Sequence, residues 1–275
     1  MLYIILPVHN RKETTALFIE CLKKQTYKEY HLLLIDDGST DGTDELVQNK
    51  IEHCTVIKGK GDWWWAGSLQ QGYNWISENV HGNSSTVLLI NDDVEFEKDF
   101  LEIGLNILSM VKKTIVYAKA ISKQSKKVFY SGVTVNWKSL SFVQASSDNQ
   151  VNCTSTRGLF LKLPDFLSIG GFYPKLLPHY ISDYEYTIRA YRKGYKFHSD
   201  DSLTLIMDET TSGFRSINSR KDFLKRYFSI KNPNNPIYLS MFIILSCPLR
   251  FKGQNILKIW KGAAINIIKG LFYEK

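Results

Sequence analysis

Val87-Leu88-Leu89-Ile90-Asn91-Asp92-Asp93-Val94-Glu95-Phe96 is the stretch on which the fold of this chain turns. Four apolar residues, β-branched at both ends, run straight into Asn91, Asp92 and Asp93. Such a run fits a buried strand, although one this short also fits a buried helix. In an open α/β sheet, ligands bind just beyond the carboxyl ends of the strands. Acids placed there hold a hard divalent cation through oxygen, and such a cation in turn holds a diphosphate. The alternative is a strand followed by a solvated acidic turn, and the flanking sequence bears on the choice.

Upstream, Tyr3–Leu6 is a short apolar run closed by Pro7 and followed by Val8-His9-Asn10-Arg11. Thr14 or Thr15 is the expected cap of a helix in which Leu17 and Cys21, and Phe18 and Leu22, recur at four-residue spacing. His31–Ile35 is the next strand-like run. It ends in Asp36-Asp37-Gly38-Ser39-Thr40-Asp41-Gly42-Thr43, whose acids, glycines and hydroxyls make a loop. Thr43 is the expected cap of a helix through Leu46 and Val47. Cys54–Ile57 reads as a third strand, leading into Gly59-Lys60-Gly61-Asp62-Trp63-Trp64-Trp65-Ala66-Gly67-Ser68. Neither helix nor strand sets three adjacent side chains on one side, so at least one tryptophan is expected to line a ligand surface or be exposed. A helix from Ser68 through Trp75 and Ile76 then leads to a Thr86–Ile90 strand. This alternation is that of a mostly parallel α/β sheet flanked by helices.

Beyond Phe96 the alternation weakens. Phe100 to Val111 suggests a helix ending near Lys112 and Lys113, and residues 115–143 suggest short mixed strands. Gln144–Asn152 reads as a polar, mobile loop. Arg157-Gly158-Leu159-Phe160-Leu161-Lys162 opens a last ordered block, with a turn at Gly170-Gly171-Phe172. A helix carrying Ile188, Arg189, Tyr191 and Arg192 follows, stopped by Gly194. Asp183 in its first turn would favour the helix N-terminus by charge alone.

With 275 residues, 44% of them hydrophobic and 23% charged, the chain suits one large α/β domain with a modest appendage. Cys21, Cys54, Cys153 and Cys247 are far apart, which argues for a reducing compartment and against a zinc or disulfide framework. Met1–Pro7 lacks a basic leader and reads as a first strand rather than a signal peptide. The net charge is +8, and residues 250–275 hold six Lys/Arg against one Glu. Ile237–Cys247 is strongly apolar but shorter than the about 20 residues that span a bilayer. Phe251, Ile256, Leu257, Ile259, Trp260, Ile265, Ile267, Ile268, Leu271 and Phe272 then alternate with Lys252, Lys258, Lys261 and Lys269. A basic helix with an apolar side suits a membrane interface rather than nucleic acid. The other reading is a helix pair packed on the main domain or on a second copy of the chain, as a homodimer.

The chain carries three acidic clusters, at Asp36-Asp37, Asp92-Asp93 and Asp183. In order and surroundings they resemble glycosyltransferase family 2, inverting nucleotide-sugar-dependent enzymes of the GT-A fold, over roughly residues 3–200. Pro7-Val8-His9-Asn10 resembles that family's first nucleotide-contacting loop. Ile35–Thr43 resembles its second, and Asn91-Asp92-Asp93 its metal-binding acidic segment. Gly170-Gly171-Phe172, Ser182-Asp183-Tyr184-Glu185, Arg189 and Gly194-Tyr195-Lys196 resemble its acceptor-side block.

The resemblance implies a GT-A catalytic domain over residues 1–215, with a nucleotide-binding half (about 1–96) and an acceptor-binding half (about 97–215). Residues 216–275 would be a helical, basic region that meets a membrane or a second copy. Pro7, Val8, Asn10, Asp36, Asp37, Gly38, Trp65, Gly67, Asn91 and Asp92 would bind a UDP- or dTDP-sugar, with Asp36 on the base. Asp93 would ligate Mg²⁺ or Mn²⁺ on the diphosphate, with His198 or Asp208 completing the site. Trp63, Trp64, Arg157, Gly158, Tyr184 and Glu185 would face a glycan or lipid-linked saccharide acceptor, and Asp183 would be the base. Asn91 stands where the family often has Asp, Ser182 where it has Glu, and Glu185 where a second Asp is frequent. The Gln-x-x-Arg-Trp motif of processive members is missing, which favours single addition. The tryptophan cluster and the Asn-Asp-Asp variant are similar to bacterial members that build O-antigen, capsule or cell-wall glycans, including rhamnosyltransferases. Such an enzyme would sit on the cytoplasmic face of the cell membrane. A nucleotidyltransferase would carry a Gly-rich phosphate loop where Pro7-Val8-His9-Asn10 stands. A non-catalytic binding module would be expected to have lost Asp93 and Asp183.

Overall fold

The computed structural model describes residues 1–208 and 223–272. Its first part alternates β1 (Leu2–Val8), α1 (Lys12–Lys23), β2 (Tyr30–Asp36), α2 (Thr43–Lys50), β3 (Cys54–Lys58), α3 (Trp64–Asn79) and β4 (Thr86–Leu89). There follow α4 (Phe100–Met110), β5 (Thr114–Tyr117), β6 (Lys119–Ser122), β7 (Val128–Tyr130), β8 (Val133–Asn136), β9 (Ser141–Gln144), β10 (Leu159–Lys162), α5 (Leu163–Ile169) and α6 (Ser182–Arg192). The chain ends with β11 (Lys196–His198), β12 (Thr204–Met207), α7 (Phe223–Tyr227), α8 (Pro236–Ser246) and α9 (Leu249–Phe272).

Seven strands form the main sheet in the order β11-β5-β10-β4-β1-β2-β3. All run the same way except β10, which is antiparallel to both β4 and β5. Both faces are covered, which is why the inner strands read as unbroken apolar runs rather than as alternating ones. Ile4 and Leu6 point to one layer with Phe18, Ile19 and Phe100, whereas Ile5 and Leu33 point to the other with Leu69, Ile76 and Phe166. From β1 the strand order moves outward through β2 to β3, then jumps back across β1 to β4. The loops after β1 and β4 therefore diverge at a topological switch point, where open α/β sheets form their ligand crevice.

Three helix starts differ from the sequence reading. Helix α1 begins at Lys12 rather than after Thr14 or Thr15, and the Asp41 carboxylate accepts the Lys12 N–H at 2.9 Å. Thr43 is the first residue of α2, not its cap; Gly42 precedes it at φ +79°. Helix α3 starts at Trp64, four residues before the expected Ser68. The Gln144–Asn152 loop is pinned rather than free. Asp148 accepts the Tyr117 hydroxyl at 2.9 Å and the Ser199 N–H at 2.9 Å, tying the loop to the sheet.

Helix α8 is capped by the Asn235 side chain, which accepts the Ile237 N–H at 3.0 Å. Its Phe242, Ile243 and Cys247 close a third core with Val133, Val135, Leu177 and Ile188. The domain boundary expected near residue 215 lies outside the described residues. No helix among the described residues is long and apolar enough to cross a membrane.

Candidate functional site

A cavity of ≈ 540 Å³ opens at the switch point. Pro7, Val8, His9 and Arg11 enter from the end of β1, and Asn91, Asp92 and Asp93 from the end of β4. Asp37, Gly61, Trp64, Trp65 and Ser68 form one wall. Ser155, Thr156, Arg157, His179, Tyr180, Ile181 and Asp183 line the cavity as well, and Lys231 reaches in from the segment between α7 and α8.

Asp37 builds the first wall. One of its oxygens accepts the Gly61 N–H at 2.9 Å, and the other accepts the Trp63 and Trp64 N–H groups at 3.0 Å each. This carboxylate thus fixes the start of α3, where Trp64 takes φ +57°. A left-handed bulky residue is uncommon and persists only where its surroundings determine it. Asp36 is turned away: it is buried, and its carboxylate accepts the Ser39 N–H at 2.9 Å inside the loop. Gly38 has φ +73°, and a Cβ there would lie 2.7 Å from the Gly61 nitrogen, so only glycine lets the two loops touch. Asn10 knits the loops together by accepting the Thr40 N–H at 2.8 Å, and it lies off the cavity.

At the β4 end, Arg11 Nε lies 3.0 Å from Asp92 and its Nη2 3.3 Å from Asp93. The Thr15 hydroxyl also donates to Asp92, at 2.9 Å. Burial nevertheless pushes the Asp92 carboxyl up to about 6, with Arg11 and Thr15 opposing it. Asp93 Oδ1 and Asn91 Oδ1 are buried without a hydrogen-bond partner. These are hard oxygen donors, and a Mg²⁺- or Mn²⁺-type cation fits one or two carboxylates supplemented by substrate phosphate oxygens. Among the described residues no third His, Cys, Asp or Glu joins them.

His198 does not. It ends β11, three strand positions from β4, or about 14 Å at the usual strand spacing. Its Nδ1 lies 2.9 Å from Asp148 instead. Asp208 follows β12 and accepts from Gln124 at 2.6 Å, also away from the cavity lining.

Asp183, also in the cavity lining, occupies the first turn of α6, and Ile181 at the start of that helix takes φ +60°. One Asp183 oxygen accepts the Tyr184 N–H at 2.9 Å. Burial pushes the Asp183 carboxyl up to about 6, against the Tyr184 N–H and the charge of Arg157. A carboxylate with that value in a cavity is suited to proton transfer near neutral pH.

Several residues expected at the site take scaffold positions. Glu185 is buried in an ion pair with Arg189 at 2.9 Å, while Arg189 holds the Ile169 and Gly171 carbonyls at 2.7 Å each. That pair braces the Gly170-Gly171 turn and does not face the cavity. Tyr184 packs on Phe142, with ring centroids 5.7 Å apart. Trp63 packs over Gly59 and Gly67, so neither it nor buried Gly67 lines the cavity. Gly158 sits at φ +72° against Leu205 and Ala118.

Conversely, Arg11, Ser68, Ser155, Thr156, His179, Tyr180 and Lys231 line the cavity without having been expected there. Arg11 directly follows the quoted first loop and could have been found from it; Lys231 carries no sequence signal. Eight buried side-chain polar atoms lack a partner among the described residues. Five of them, on Asn91, Asp93, Ser155, Arg157 and His179, belong to residues of this cavity. Buried polar groups are normally satisfied, so this convergence marks a ligand site.

The model of the Glycosyl transferase family 2 matches residues 3–163. A curated protein of Rickettsia felis described as an uncharacterized glycosyltransferase is 31% identical over 101 residues, covering 36% of this chain and 17% of that one. Among solved structures, S. aureus TarS matches with a TM-score of 0.60 at 16% identity, over 98% of this chain and 54% of that one. Mannosyltransferase PcManGT from Pyrobaculum calidifontis, in complex with GDP-Man and Mn²⁺, gives 0.57 at 13% identity over 98% and 71%. TarS 1–349 in complex with UDP-GlcNAc gives 0.58 at 17% identity over 94% and 71%. The chain thus spans 17% of the curated relative and about half of TarS. The fold is that of GT-A glycosyltransferases: a mostly parallel sheet between helices, with C-terminal helices added.

Proposed function

Because the chain belongs to glycosyl transferase family 2, we propose that it moves one sugar from a nucleotide-sugar donor to a glycan or lipid-linked saccharide acceptor, inverting the anomeric centre. The observation that carries this reading is the convergence of unsatisfied polar atoms on a cavity lined by both Asp93 and Asp183.

The residues divide the work. Trp64, whose N–H Asp37 holds, and its neighbour Trp65 offer aromatic faces for the base or sugar of the donor. Asn91 and Asp93 would hold the divalent cation, which when bound supplies positive charge to the departing diphosphate. Arg11 holds Asp92 in place and favours its charged form against burial. Asp183 takes the proton of the acceptor hydroxyl as that oxygen bonds to the anomeric carbon. The bond from that carbon to the diphosphate oxygen breaks, and the nucleoside diphosphate leaves with the electron pair.

The C-terminal region supports a peripheral membrane contact on the cytoplasmic side. On α9, Leu249, Leu257, Trp260, Ile265 and Ile268 are exposed, and residues 249–272 include no acid. An apolar stripe among basic residues suits anionic lipid headgroups. The side chains of Leu271 and Phe272 lie outside the described residues.

The test is phosphorus NMR of UDP-, dTDP- and GDP-sugars incubated with the protein, Mn²⁺ and candidate acceptors. Nucleoside diphosphate should accumulate from one donor, at a rate that rises about tenfold per pH unit and levels off above pH ~6 as Asp183 ionises. Release of pyrophosphate would make the protein a nucleotidyltransferase, and no turnover of any donor would favour a binding module.

A further inference from the structure

Three cations line the cavity, and only Arg11 forms an ion pair with a carboxylate, while Arg157 acts on Asp183 through its charge alone. Arg11 pairs with Asp92 and Asp93. Arg157 and Lys231 make no ion pair among the described residues. Arg157 Nε is buried without any hydrogen-bond partner. The Lys231 ammonium stands 5.7 Å over the centre of the Trp64 ring. Its charge also acts on His179, whose ring meets Trp64 edge-on at 5.8 Å, so lysine, tryptophan and histidine form one corner.

A guanidinium nitrogen kept from water without an acceptor is costly. The planar fork of an arginine beside the point charge of a lysine is suited to phosphate oxygens. We propose that Arg157 and Lys231 form a clamp for a phosphate group at the Asp183 end of the cavity. Two substrates of the proposed reaction could present it: the departing diphosphate of the donor, or a phosphate carried by the acceptor. The clamp rests on the transferase reading for the origin of its ligand. It also gives the segment before α8 a role in the cavity.

The experiment uses the full chain and Lys231→Met, at an exposed position where the fold tolerates the change, with Lys231→Arg as the conservative control. Calorimetry compares UDP, dTDP and GDP with their nucleosides, and glycerol 3-phosphate with glycerol. Lys231→Met is expected to weaken at least one phosphate ligand tenfold or more, with its phosphate-free counterpart unchanged and binding restored in Lys231→Arg. Loss confined to the nucleoside diphosphate assigns the clamp to the donor, and loss confined to glycerol 3-phosphate assigns it to the acceptor. Equal binding by wild type and Lys231→Met, equal loss for phosphate-free ligands, or wild type that prefers no phosphate ligand over its counterpart would each overturn the clamp. If no nucleoside diphosphate binds wild type, the transferase reading fails, while the glycerol 3-phosphate comparison still decides the clamp.

Discussion

Asp183→Asn is expected to lower sugar transfer by about 10²- to 10⁴-fold, the usual contribution of a positioned general base. Donor affinity should be unchanged if Asp183 acts on the acceptor hydroxyl as proposed. The substitution keeps the local structure, since an asparagine oxygen can accept the Tyr184 N–H that Asp183 accepts at 2.9 Å. It should also make the protein more stable. The Asp183 carboxyl is raised to about 6 by burial, so the folded state holds the proton more tightly than the unfolded chain does. The stability of the protonated form is fully present below the ordinary carboxyl value and is lost as pH rises through about 6. Removing the charge should return about 1–3 kcal/mol above that pH, a rise of a few degrees in melting temperature. Below pH ~4 wild type and variant should melt together. Retention of more than about a tenth of wild-type transfer would remove Asp183 from the role of base.

The second large effect is on the wall itself. Asp37→Ala should destabilise the protein by about 3–5 kcal/mol and abolish donor binding, because one carboxylate accepts three backbone N–H groups and each such charged bond contributes about 1.5–3 kcal/mol. Without it, nothing in the local sequence holds Trp64 at φ +57°, and relaxation there swings the ring away from the cavity. Asp37→Asn keeps an acceptor for some of the three donors and should fall between the two. Urea denaturation and calorimetry of the same samples measure both effects. A variant that unfolds and binds donor like wild type would mean that the Gly61–Trp64 turn has another anchor.

Much of this was readable because the informative signals are local. The runs at Tyr3–Leu6, His31–Ile35 and Val87–Ile90 are continuous because the sheet is covered on both faces, and their polar ends fall where loops must emerge. The start of α3 was not readable: its cap is Asp37, 26 residues before Trp63, and three tryptophans carry no capping signal. Nor was the direction of β10, since Leu159–Lys162 looks the same in a parallel or antiparallel ladder. His198 was misplaced because a histidine near an expected acidic site looks like a ligand until the strand order sets it beside Asp148. Glu185 looked like a site acid until its partner Arg189, four residues on, proved to be part of a turn brace. Lys231 enters through tertiary folding alone.

The decisive measurement is calorimetric titration of UDP-, dTDP- and GDP-sugars into wild type and Asp93→Ala, each with Mn²⁺ and with a chelator. Asp93 Oδ1 is a buried oxygen without a partner, so one donor should bind wild type at least tenfold more tightly with Mn²⁺ than with chelator, and Asp93→Ala should abolish that difference. Binding of no nucleotide sugar under either condition, or the same Mn²⁺ dependence in Asp93→Ala, would contradict a transferase site built between Asp93 and Asp183.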